Sequence, residues 1–146
     1  MPQTPEPFDL SSYIPYRLAV AAERTSAALA RRYRDEFGIS VAEWRVLVHV
    51  SDAGAVSIRD IHQRVHLEKS KVSRAASRLE EAGYLVKEVN DQDRRLLALR
   101  LTDKGQALMA QLLPIAQAFQ TQLKQLLDSQ LDAFDSALQV LMEDDL

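Results

Sequence analysis

The chain has 146 residues, 47% of them hydrophobic and 27% charged, with a net charge of −3 and no cysteine. That is enough length and apolar content for one folded domain, and the lack of thiols excludes disulfides, thiolate metal ligands, iron–sulfur clusters and thiol-based switching. No run reaches the roughly eighteen apolar residues of a membrane span, and MPQTPEPFDL lacks the basic stretch and apolar core of a signal peptide, so a soluble cytoplasmic protein is expected.

The first periodic segment runs from about Leu10 to Glu36, with Leu18, Ala22, Thr25, Leu29 and Tyr33 on one helical stripe. Gly38 stops it. Ser40 and Glu43 form a capping box that opens a second helix, Val41 to about Ser51, with Val46, Leu47 and Val50 facing inward. After the turn at residues 52–54, Ser57 with Asp60 opens a short helix ending near Val65. A fourth helix spans about Lys69 to Ala82, its apolar face being Val72, Ala75, Ala76, Leu79 and Ala82, and Gly83 ends it.

The period then falls to two, and Tyr84–Val89 and Leu96–Leu101 read as strands around a polar turn. Thr102 caps a long helix reaching about Leu127, with Pro114 expected to bend it. Ser129 and Asp132 mark a last helix carrying Leu131, Phe134, Leu138 and Leu141. The expected fold is mainly α with a small β-hairpin wing. It divides into an N-terminal dimerisation segment (1–37), a winged helix-turn-helix lobe (38–101) and C-terminal dimerisation helices (102–146).

Charge follows the same division. Residues 57–104 hold eleven Lys/Arg against eight Asp/Glu, whereas residues 105–146 hold one against six. A basic middle supplies steering and phosphate contacts, and an acidic end faces away from a duplex.

Two short helices joined by a three- or four-residue turn can set the second in a major groove. Opposite the apolar stripe of the fourth helix lie Ser70, Lys71, Arg74, Ser77 and Arg78. Lys and Arg donate to guanine edges and serines to bases or phosphates, while Lys69 sits toward the backbone. The same pattern fits a merely solvated amphipathic helix. In the hairpin turn, Arg94 or Arg95 can enter the narrow minor groove, with Asp93 pairing to an arginine to brace the loop.

The run LEKSKVSRAASRLEEAGYLVKEVNDQDRRLLALRLTDKG closely resembles the recognition helix, wing and following helix start of MarR-family regulators, and FGISVAEWRVLVHV resembles their second helix. The resemblance extends over about residues 10–142. It implies a homodimer on double-stranded DNA, with Ser70, Lys71, Ser73 and Arg74 at the major groove or adjacent backbone. Asp93 would brace the wing and Arg95, supported by Arg94, would enter the minor groove. It also implies a small aromatic or phenolic anionic effector, for which Tyr13, Tyr16, Arg17 and Trp44 are the candidate residues.

The terminal helices carry more apolar surface than one small domain covers, including Phe8, Leu10, Leu113, Phe119, Leu126 and Phe134. A second copy or an intrasubunit bundle would use it. A two-fold dimer would meet half-sites about 34 Å apart on a pseudo-palindromic operator, acting as a repressor more readily than as an activator.

No cofactor, metal site or enzymatic motif is expected. His62 and His66 read as a surface pair. The competing reading is a winged-helix protein-interaction or helical oligomerisation module without sequence-specific DNA binding.

Overall fold

A computed structural model of the chain describes residues 6–89 and 97–146. The first helix starts later than the periodicity suggests. Leu10–Ser12 form a 3-10 turn, where the Asp9 carboxylate accepts the Ser11 N–H, and α1 is Ile14–Phe37. Pro15 is the reason: in the first turn its missing N–H costs nothing, but a helix begun at Leu10 would need that donor. Gly38 ends α1 at φ 65°.

Helix α2 (Val41–Ala53) begins at the expected cap, the Ser40 side chain accepting the Glu43 N–H, and runs two residues past the expected end. Strand β1 (Ala55–Ser57) follows. Its three residues are too few to show an alternation in the sequence. Then come α3 (Ile58–Val65), α4 (Lys69–Glu81), β2 (Leu85–Val89) and β3 (Leu97–Leu101). The wing is thus a three-stranded antiparallel sheet in the order β1-β3-β2, not a bare hairpin. Val56 pairs with Leu99 on one side of β3 and Val86 with Arg100 on the other.

Helix α5 (Asp103–Leu127) is capped by Thr102 and continues through Pro114. A 3-10 turn at Asp128–Gln130 precedes α6 (Leu131–Glu143). Ser129 does not mark the start of α6: it lies inside the 3-10 turn, and Gln130 stands at the cap without a side-chain bond.

Among the described residues every buried hydrophobic lies between Ala30 and Leu112. Tyr33, Val46, Leu47, Ile61, Val72, Leu79, Leu99 and Leu112 form its centre. The core therefore draws in the end of α1 and the first turns of α5. By contrast, α6 and the second half of α5 contribute no buried residue.

Candidate nucleic-acid interface

The α3–α4 unit is set by local chemistry. Ser57 accepts the Asp60 N–H at 3.0 Å to start α3. His66, at φ 55°, turns the chain out of it. Leu67 packs on the core, and α4 begins after Glu68, whose side chain makes no capping bond. The first backbone N–H groups of α4 thus carry the positive end of its dipole beside Lys69 and Lys71.

Helix α4 is sharply two-sided. Val72, Ala75, Ala76 and Leu79 are buried, whereas Lys69, Ser70, Lys71, Ser73, Arg74, Ser77 and Arg78 are all exposed. At about 100° per residue, Ser70, Arg74 and Ser77 stand opposite the buried stripe, with Lys71 and Arg78 on one flank and Ser73 on the other. The two alanines allow close approach to the core. Lys71 and Arg74 are free of it, as a groove-reading helix requires.

The joint behind α4 is a clasp of main-chain and side-chain bonds. The Thr102 hydroxyl donates to the Gly83 carbonyl at 2.5 Å and its oxygen accepts the Gly105 N–H at 3.1 Å. Lys104 donates to the Ala82 carbonyl at 2.6 Å, its ammonium lying 4.7 Å from the Tyr84 ring centroid. In the wing, β2 and β3 pair out to Val89 and Leu97, and Arg100 bonds Glu88. Asp93, Arg94 and Arg95 lie outside the described residues.

The family model described as MarR family matches residues 37–96. A MarR family transcriptional regulator from Silicibacter pomeroyi DSS-3 has 30% sequence identity and a TM-score of 0.80, the match covering 94% of this chain and 98% of that one. The chain belongs to the MarR family of transcriptional regulators. The regulator SarZ of Staphylococcus epidermidis is 25% identical over 111 residues, 74% of this chain and 75% of its own. The same fold is shared with Bordetella bronchiseptica BpsR, whose DNA binding is regulated by 6-hydroxynicotinic acid. That match has a TM-score of 0.82 and 24% identity, covering 96% of this chain and all of the other.

This MarR-family subunit does not bring the four candidate effector residues into one cleft. Tyr16 and Arg17 line a groove of about 320 Å³ on α1 with Ser11, Val20, Ala21 and Arg24. Tyr13 stacks edge-on with Phe8, ring centroids 5.0 Å apart. Trp44 instead lies 4.9 Å from the Tyr33 ring. Tyr33 is sixteen residues along α1 from Arg17, which is about 24 Å of helix.

Tyr33 itself is fully buried, its hydroxyl donating to the Leu112 carbonyl at 3.4 Å, and burial pushes its pKa up to about 12.

His62 departs from its reading as half of a surface pair. Its Nδ1 is buried and has no hydrogen-bond partner among the described residues, in a cavity of about 80 Å³ shared with Ser73, Ser77 and Lys87. The end of α3 at Val65 separates it from the exposed His66. On α2, burial and the neighbouring Arg64 charge hold the pKa of His49 below the ordinary imidazole value.

Two of the ion pairs among the described residues tie α4 to its neighbours. Arg78 lies 3.7 Å from the Glu43 carboxylate on one flank of α4, and Glu80 lies 3.8 Å from Lys87 of β2 on the other. The signal for the first was present. Glu43 occupies the same i, i+3, i+4, i+7 stripe as Val46, Leu47 and Val50, and an acid on a core stripe requires a partner.

Proposed function

We propose that the protein is a homodimeric, sequence-specific DNA-binding repressor that sets α4 of each subunit in the major groove of a pseudo-palindromic operator. The observation that carries this reading is the division of α4 into a buried Val/Ala/Leu stripe and an exposed Lys/Ser/Arg face. Ser70, Arg74 and Ser77 are the groove-facing residues. Lys71 and Ser73 flank them, and Lys69 with the helix N-terminus takes a phosphate. Arg95, assisted by Arg94 and braced by Asp93, enters the minor groove.

The second copy is supported by apolar surface that one subunit leaves in water. Phe8, Ile14, Leu126, Val140 and Met142 are 70%, 62%, 81%, 55% and 79% exposed. A groove of about 960 Å³ runs between α1 and α5, lined by Ala28, Leu123 and Leu126 among others. Helix α6 has thirteen residues and no buried side chain, and a helix of that length is marginal in water without tertiary packing. Pairing of α1, α5 and α6 across a two-fold axis removes this surface from water and gives two recognition helices a common duplex.

The deciding experiment is fluorescence anisotropy with duplexes enriched by the protein from a random pool. Selective, salt-dependent binding of a sequence with two-fold symmetry is expected. Absence of duplex binding at physiological salt would favour the protein-interaction or oligomerisation module.

For regulation, the groove at Tyr16, Arg17 and Arg24 is the proposed seat of a small aromatic or phenolic acid, the rings meeting Tyr16 and the carboxylate Arg17. Calorimetric titration of 6-hydroxynicotinic acid and related acids into wild type and Arg17→Ala tests it. Identical binding by both proteins rejects Arg17.

A further inference from the structure

Glu43 is the one buried charged residue among the described residues, at 8% exposure. Its Oε1 accepts the Ser40 hydroxyl at 3.0 Å, and a carboxylate has capacity for further donors. The Arg78 guanidinium stands over it at 3.7 Å, with the arginine side chain 64% exposed and the glutamate 11%. Arg78 is in the last turn of α4, where its charge also favours the helix dipole.

Helical geometry separates Arg78 from the residues that face outward. It lies on the α2 side of the helix, whereas Ser70, Arg74 and Ser77 point directly away from the core. The opposite flank of the same turn carries the Glu80–Lys87 pair to β2. The last turn of α4 is therefore tied on both sides, to a helix and to the wing sheet. The two ties differ in kind: Glu80 and Lys87 are each 38% exposed and their pair is open to water, while Glu43 is nearly closed off. An acid held in that setting loses its solvent and needs the cation more.

We infer that Glu43 is a positioning residue, which holds Arg78 as a strut between α2 and α4 so that the pair sets the angle at which the recognition helix meets DNA. This rests on the DNA-binding reading above. It gives Arg78 a different task from Arg74: Arg78 fixes the helix, and Arg74 reads from it.

The test uses the full-length protein with a duplex enriched from a random pool by wild type and a scrambled duplex of equal length. Glu43→Gln keeps the shape and the Ser40 contact but removes the charge. Arg78→Ala truncates a mostly exposed side chain and leaves the core intact.

Each variant is expected to lose about one base-pair contact's worth of selectivity, roughly tenfold between the two duplexes. Affinity for the scrambled duplex and the salt slope stay as in wild type, and the double variant is no worse than the more affected single one. The strut is overturned if Arg78→Ala weakens both duplexes alike and lowers the salt slope by about one unit, the mark of a phosphate contact. It is equally overturned if Glu43→Gln retains full selectivity. Failure of the wild type to enrich any duplex defeats the DNA-binding reading itself, a result distinct from either.

Discussion

Gly105 in the first turn of α5 lies so close to Tyr84 that a β-carbon on it would sit 2.1 Å from the Tyr84 carbonyl oxygen. The obstacle is backbone, so no rotamer change relieves it. This contact holds α5 against the turn that ends α4, together with the Thr102 bond to Gly83 and the Lys104 bond to Ala82.

Gly105→Ala should therefore destabilise the protein by roughly 3 kcal/mol, at the upper end of ordinary overpacking costs, despite the better helix propensity of alanine. Urea unfolding monitored by circular dichroism measures it. Gln106→Ala, one position along on an exposed site, should stay within about 0.5 kcal/mol of wild type. A loss below about 1 kcal/mol at Gly105 would mean that the turn yields easily, contrary to the clasp.

The buried Tyr33 hydroxyl makes stability fall at alkaline pH. Its pKa is about 12 in the fold against 10.0 ordinarily, so the unfolded chain loses the phenolic proton first. The stabilising contribution is complete below pH 10 and is lost as pH rises from 10 toward 12, at up to about 1.4 kcal/mol per pH unit. Tyr33→Phe removes a hydrogen bond of 3.4 Å and should cost only about 0.5–1 kcal/mol at neutral pH. Its unfolding free energy should also fall less steeply above pH 10 than that of wild type. Parallel alkaline slopes for the two proteins would assign the loss to other groups.

Much of this fold is legible in the sequence because its signals are local. Ser40, Ser57 and Thr102 each announce a helix start, and each accepts the backbone N–H three residues on. Gly38 and Gly83 announce ends, and both have positive φ.

What failed depends on partners distant in the chain. β1 exists only because Val56 meets Leu99 forty-three residues later. Ser129 and Asp132 have the spacing of a cap, but the tight turn at Asp128, with φ 48°, shifts the helix start past it. For the site, the exposed face of α4 follows from helical period alone. The separation of Trp44 from Arg17 does not, since it depends on where α2 crosses α1. The stripe that holds Glu43 shows that it needs a partner, but that the partner is Arg78 depends on how α2 packs on α4.

Leu126 tests the second copy. It is 81% exposed in the single subunit and lines the groove between α1 and α5, near Arg32, whose guanidinium lies over Phe119 and donates to Gln122 at 2.6 Å. Aspartate there costs a lone subunit little, because the site faces water. Across a dimer interface it strands an unpaired charge. Leu126→Asp should shift the monomer–dimer equilibrium toward monomer by tenfold or more, as read by sedimentation at micromolar concentrations. An unchanged dimer would move the interface away from this groove.

Arg74 and Lys69 should fail differently on DNA, though both are exposed cations of α4. Arg74 stands opposite the buried stripe in the middle of the helix, where a guanidinium can reach a base edge. Arg74→Ala should weaken the selected duplex by about 1–3 kcal/mol and relax preference at one position of each half-site. Lys69 opens the helix beside its uncapped N-terminus, where the field favours a phosphate. Lys69→Ala should weaken selected and scrambled duplexes by the same factor and reduce the salt slope by about one unit per subunit contact. Selections repeated with each variant at two salt concentrations separate the roles. If Arg74→Ala left the preferred sequence unchanged while lowering the salt slope, the arginine would be a backbone contact, and base reading would have to pass to Ser70 and Ser77.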